Sequence, residues 1–314
     1  MFEVFVDALA YSDVLILLSI GITLTYMTIK VPNFTHGDYA SLGAYIAFTI
    51  NLFYGIHPFL SIPIVFILAG LLSFIFYLFI FRPLSERGAN LVTLMVTSIA
   101  LELILRSLIN IYADIMSLKT KIPIFRGFIF QDYLINTGIF LLPFSTIVAT
   151  VTAVLIVSLL YLFLNKTKFG IAMRASIENP DLAKVLGVNV DLVYSISWFI
   201  AGGLAGIVGV FIPYRITANP QVGWDLLLRG FAASVLGGLS SIYGAIIGGA
   251  VIGFAEIVGI YLLSQPPINL PIAYRPSIPY LTLIITLLII PKGITGIDFS
   301  KIKRKIVGGR NGNN

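Results

Sequence analysis

The chain has 314 residues, 58% of them hydrophobic and only 11% charged, with a mean hydropathy of +0.99. Soluble domains carry roughly 25% charged residues, so this chain cannot cover itself with polar surface and reads as an integral membrane protein. Runs such as SIPIVFILAGLLSFIFYLFIF (61–81) do not alternate apolar and polar residues, which argues against a β-barrel and for an all-α polytopic bundle. The net charge of +6 is then a matter of loop placement and gives no reason to expect nucleic acid. With no cysteine, disulfides, thiolate metal sites and cysteine catalysis are excluded.

Apolar spans are predicted at about 10–29, 38–55, 59–81, 91–113, 138–164, 193–214, 226–262 and 278–291, in a single membrane domain. The start MFEVFVDALAYSD is acidic and lacks the basic opening of a cleavable signal, so the first span is expected to be retained. Lys30, Arg82, Arg87, the segment 165–191 and a basic tail (292–314, with Lys301, Lys303, Arg304, Lys305 and Arg310) are expected to be cytoplasmic by the positive-inside rule, with the N-terminus outside. Lys119, Lys121 and Arg126 then fall outside, as the one exception.

Polar residues inside spans are costly and each asks for a reason. Asn33, His36 and Gly37 follow a break at Pro32 and open the second span together with Asp38. Glu102 and Arg106 stand four apart, acid first, the favourable order for a neutralising pair within a helix. Asp225 and Arg229 share that spacing and are expected to anchor a helix start at the interface, whereas Glu256 has no partner at helical spacing and is expected to face a cavity or another helix.

The segment 165–191 is the longest polar interruption, and it contains a short helix with both ends specified. Asn179 is a good N-cap, Pro180 suits the first helical position, and Asp181, after Glu178, favours the positive helix end. Gly187 suits the left-handed residue that closes a helix. Leu182, Val185 and Leu186 share one face, which makes the element either a docking helix or an interfacial helix resting on lipid headgroups.

The run 226–262 is too long for one span and is broken near Gly237 and Gly238, so two short helices or a re-entrant pair are expected. Gly202, Gly206 and Gly209, and the pairs Gly244/Gly248 and Gly249/Gly253, have the spacing that lets helix backbones approach closely. No GxxxxGK[ST] phosphate loop occurs, and His36 and His57, with no metal-ligand or triad neighbours, give an enzyme reading nothing to stand on. A cofactor is not expected.

Three stretches together resemble one family. VPNFTHGDYASLGAYIAF (31–48), GIAMRASIENPDLAKVLGVNVDLVYSISWFIAGGLAGIVGVF (170–211) and RGFAASVLGGLSSIYGAIIGGAVIGFAEIV (229–258) are similar to segments of the permease subunits of branched-chain amino acid ABC transporters, of the LivH type. The resemblance implies an importer permease with about eight or nine membrane segments, one broken or re-entrant. It also implies two ATP-binding ABC subunits, a second related permease giving a heterodimeric core, an external binding protein and the lipid bilayer as partners. On that reading the helix around 180–186 couples to the ATPase, with Glu178, Asn179, Pro180, Asp181, Leu182, Val185, Leu186 and Gly187 as the coupling residues. The segment departs from the broader importer pattern in lacking its Glu-Ala-Ala start. Asn33, His36, Gly37, Glu102, Gly237, Gly238 and Glu256 are the candidates for the path or its gate. The competing expectations are a urea or short-amide permease of the same family and an ion-coupled secondary transporter using Glu102 or Glu256.

Overall fold

The computed structural model describes residues 1–136, 138 and 141–296; of the basic tail expected to be cytoplasmic, 297–314 lies outside the described residues. The chain is mostly helical, and among the described residues seven helices or helix runs are long and apolar enough to cross a bilayer. These are α1 (Phe2–Ile29), the run Pro58–Glu86, α5 (Leu91–Thr120), α6 (Phe144–Lys166), the run Val190–Tyr214 that begins with α9 (Val190–Phe211), α11 (Ile242–Leu263) and the run Ile272–Gly296 that contains α12 (Ser277–Ile289). The run Pro58–Glu86 holds α3 (Ile62–Phe76), a π turn over Tyr77–Phe81 and α4 (Arg82–Glu86). Pro83 explains that turn: it has no N–H to give, and the Arg82 N–H reaches back to the Tyr77 carbonyl as the helix widens.

Two shorter helices sit inside this frame: α2 (His36–Tyr54) and α10 (Val222–Gly237), about 28 and 24 Å long at 1.5 Å per residue. The core is built on α1 and α9, which are buried over most of their length. α1 packs most extensively on α11 and α9 on α3, while α6 and α12 turn mostly outward. Leu103, Ile111, Val151, Leu155, Ile284 and Leu288 are exposed, as expected of surfaces that meet hydrocarbon rather than water.

The feature that organises the centre is a crossing of two helix starts. His36 lies against Gly21 of α1 and close to Ala201, the middle of α9, so α2 begins inside the core rather than at its edge. The preceding loop goes with it, for Val31, Asn33 and Thr35 are buried. At the other crossing partner, Ala218 and Pro220 are buried before α10 begins. A buried loop must satisfy its backbone groups internally. Here the Thr35 hydroxyl donates to the Ser98 carbonyl and the Ser98 hydroxyl to Pro32; Phe128 and Ala218 exchange backbone bonds; the Ser41 hydroxyl accepts from Gly223 N–H at 2.9 Å. Gly37 and Gly223 meet back to back: a Cβ on either would strike the other's carbonyl oxygen.

Four expectations need correction. Residues 141–143 do not open a helix but pair as a strand, β2 (Leu141–Pro143), with β1 (Leu134–Asn136), and α6 starts only after Pro143. The break at Gly237–Gly238 is present, yet α11 beyond it is a full-length span of 22 residues, not a short helix. The segment 165–191 holds two helices, α7 (Lys168–Glu178) and α8 (Pro180–Val185), rather than one. Finally, Arg229 does not anchor a helix start at the interface; its side chain is only 12% exposed, donates to the Asp225 backbone carbonyl and forms its ion pair with buried Glu256.

Candidate functional site

α8 is closed at both ends as its residues dictate. The Asn179 side-chain oxygen accepts from the Leu182 N–H at 3.0 Å, and Pro180 opens the helix at no cost in hydrogen bonds. At the other end Gly187 has φ +84°, Gly187 N–H bonds the Lys184 carbonyl, and Val188 N–H bonds the Ala183 carbonyl at 2.9 Å. That pair of bonds is the Schellman closure, and Ala183, whose carbonyl takes one of them, is fully buried. The fixed helix then holds Leu182, Val185 and Leu186 outward, 54%, 83% and 72% exposed, with Asp181 and Lys184 on the same short element. Three aliphatic side chains held in the open by two caps form a small exposed apolar surface.

The arm behind α8 is tied into the bundle. The Tyr194 hydroxyl donates to the carbonyl of buried Ser176 at 3.0 Å. Arg174 donates to the Asn165 side-chain oxygen, and the Asn165 amide donates to the Tyr243 hydroxyl. Arg82 reaches Asp191 at 3.0 Å and Glu86 at 2.9 Å, which places the start of α4 beside the start of α9. Arg82, Arg87 and the segment 165–191 therefore gather at one end of the bundle. The hairpin β1–β2, the N-terminal part of α1 and the loop after α11 occupy the other.

Apart from buried Asp13, which accepts from the Thr150 hydroxyl at 2.6 Å, the buried acids lie in two clusters. In the first, Arg106 pairs with Glu102 on its own helix, as the spacing predicts, and also with Asp38 of α2 at 3.7 Å. Its guanidinium lies 5.2 Å from the ring of Trp224, so one side chain links α5, α2 and α10. Glu102 and Asp38 are buried, and the cluster carries two acids against one base. Asn33 and His36, expected on a path, are completely buried beside it, His36 with its ring edge-on to Tyr39. In the second cluster Glu256 is fully buried and receives Arg229 at 3.1 Å, Arg275 at 2.8 Å and the Tyr11 hydroxyl at 3.2 Å. Glu256 thus has the interhelical role expected of it, joining α1, α10, α11 and the turn before α12. The part of Arg275 in this cluster left no trace in helical spacing, because it arrives from a loop 19 residues away.

Between the clusters and α8 stands the junction of α10 and α11. Gly238 has φ +101°, the Thr295 hydroxyl donates to the Gly237 carbonyl at 2.8 Å, and the Ser241 hydroxyl caps α11 by accepting from Gly244 N–H. The junction is a backbone break held by side chains from outside it. Among the described residues no group of His, Cys, Asp and Glu is placed to hold a metal ion.

With this geometry in hand, the comparisons with known proteins agree with one another. The family model described as "Branched-chain amino acid transport system / permease component" matches residues 4–290. The chain is 40% identical over 297 residues to the probable branched-chain amino acid transport permease protein LivH of Methanocaldococcus jannaschii, covering 95% of this chain and 93% of that one. It is 27% identical to the high-affinity branched-chain amino acid transport system permease protein BraD of Pseudomonas aeruginosa, over 93% of this chain and 94% of that one. It is 28% identical to the corresponding LivH of Escherichia coli, over 89% of this chain and 90% of that one. No solved structure matches it. The chain belongs to the family of permease components of branched-chain amino acid transport systems.

Proposed function

We propose that this chain is the membrane-spanning permease subunit of an ATP-driven importer of branched-chain amino acids, without catalytic activity of its own. The bundle forms one half of the translocation path, beside a second, related permease. Two separate ATPase subunits supply the energy, and an external binding protein delivers the substrate. In this reading the end that carries α7 and α8 is cytoplasmic and the end that carries β1–β2 is outside, with the N-terminus. The chain has no phosphate-binding loop, so energy must enter mechanically.

The observation that carries the reading is the doubly capped α8 with Leu182, Val185 and Leu186 exposed on it. An ATPase cleft that buries these side chains gains roughly 1.5–3 kcal/mol from each. The test is Leu182→Asp: membrane abundance stays normal, while co-purification with the ATPase falls about tenfold or more and uptake falls in step. Vesicles that hold only this chain accumulate no amino acid under a proton or sodium gradient. Accumulation in those vesicles would overturn the importer in favour of an ion-coupled transporter.

A further inference from the structure

At the end opposite α8 a cavity of about 300 Å³ opens between α1, the β1–β2 hairpin, the turn after α9 and the loop before α12. Its lining is neither a plain apolar crevice nor a field of one charge. Arg275 and Arg215 contribute guanidinium groups, Asp7 and Asp132 carboxylates, and Ile212, Ile216 and Ile257 an apolar wall.

Several of these polar groups are only partly used. Arg215 is occupied, by Asp7 at 3.1 Å and by the Thr146 hydroxyl at 3.0 Å. Arg275 gives only its Nε, to Glu256, and its guanidinium lies 4.4 Å from the Tyr11 ring. Its terminal nitrogens form no hydrogen bond among the described residues. The hydroxyl of Tyr214, also in the lining, is buried without a hydrogen-bond partner among the described residues. One oxygen of Asp132, which lines this cavity, accepts from the Ser145 N–H at 3.0 Å, and its second oxygen has no hydrogen bond among the described residues.

Unused donors, an unused acceptor and aliphatic carbon in one lining describe a ligand with all three complements. We propose that this cavity is a binding site for a free zwitterionic α-amino acid with an aliphatic side chain. Arg275 and Tyr214 take its carboxylate, Asp132 takes its ammonium, and Ile212, Ile216 and Ile257 cover its side chain. A bare anion is disfavoured by the two aspartates, and a bare cation by the two arginines. The volume is at the lower limit of ligand pockets, suited to one small molecule rather than a peptide. The choice of substrate class rests on the importer reading; the presence and polarity of the cavity do not.

The experiment is L-leucine binding by scintillation proximity to the full chain in lipid nanodiscs, with leucinamide and 4-methylpentanoate as competitors. Leucine binds, and each analogue, lacking one charge, competes at least tenfold more weakly. Tyr214→Phe removes a hydroxyl that bonds nothing in the protein, so abundance and thermal midpoint stay unchanged while leucine affinity falls about tenfold. Asp132→Asn lowers affinity for leucine but leaves that for 4-methylpentanoate, which has no ammonium, unchanged. The proposal is overturned if leucine fails to bind, if leucinamide competes as well as leucine, or if both variants bind leucine normally. It is equally overturned if the variants weaken only the capture of the binding protein, for the cavity then holds a protein carboxylate. These measurements need no ATPase, so they fail or succeed separately from the α8 docking test of the importer itself.

Discussion

The Asn165 amide donates to the Tyr243 hydroxyl at 2.7 Å across 78 residues of sequence. Asn165 also accepts from Arg174 at 2.9 Å, on the arm that carries α8, and Tyr243 is the second residue of α11, just past the break at Gly238. The bond therefore joins the arm that carries α8 to the junction of α10 and α11. Tyr243→Phe should leave α8 and its caps intact, so ATPase co-purification stays normal. Uptake should fall by roughly two- to tenfold, the worth of one partly exposed hydrogen bond. Uptake at the wild-type rate would show that the bond transmits nothing.

The charge cluster on α5 orders its own mutants. Arg106 serves both Glu102 and Asp38, so Glu102→Gln leaves a neutral Asp38–Arg106 pair, whereas Arg106→Gln leaves two buried carboxylates with no counter-charge. Stranding a buried charge costs about 3–5 kcal/mol, and membrane abundance should fall steeply for Arg106→Gln and little for Glu102→Gln. Combining Arg106→Gln with Asp38→Asn should recover part of the loss. A transport role for Glu102 would appear instead as lost uptake at normal abundance, without rescue by Arg106→Gln.

The crossing of α2 and α10 makes a third prediction. The backbones touch at Gly37 and Gly223, with the Gly223 carbonyl where a Gly37 side chain would stand. The obstacle is backbone, itself held by the Ser41–Gly223 bond, so it has little room to yield. Gly37→Ala should already cost about 1–3 kcal/mol and Gly37→Val more, read as falling abundance and thermal midpoint in detergent. Gly55, in the same helix run, meets nothing and needs only its left-handed φ of +63°, so Gly55→Asn is the tolerated control. Equal behaviour of Gly37→Val and Gly55→Asn would mean that the close crossing carries no weight.

What could be read in the sequence was whatever physics writes locally. Asn179, Pro180 and Gly187 specify α8 because caps act within four residues of the ends they close, and Glu102–Arg106 was legible because one helical turn joins them. Long apolar runs located most spans because the bilayer sets their length. Asp38 joining Arg106, or Arg275 joining Glu256, follows from tertiary packing and has no local period. The hairpin at 134–143 was hidden because its few residues are as apolar as the helix that follows them. That α2 and α10 begin inside the core was hidden too, since a helix that starts there looks in composition like one that starts at its edge. The outer cavity draws on five separate parts of the chain, so nothing in any one of them announces it.

The last prediction concerns which end faces the cytoplasm, on which the docking role of α8 depends. The chain has no native cysteine, so a single introduced one is a unique label. Ser176 lies in the same segment but is completely buried and would report packing rather than side. Val185, 83% exposed on α8, and Gln131, exposed before β1 at the opposite end, are the sound reporters. Val185→Cys should react with an impermeant thiol reagent only after intact cells are permeabilised, and Gln131→Cys should react without permeabilisation. The second result is the sharper one, because Lys119, Lys121 and Arg126 put three basic residues on that side against the positive-inside rule. If Val185→Cys labels in intact cells and Gln131→Cys does not, α8 is outside. No ATPase could then reach it, and the exposed Leu182, Val185 and Leu186 would need another partner.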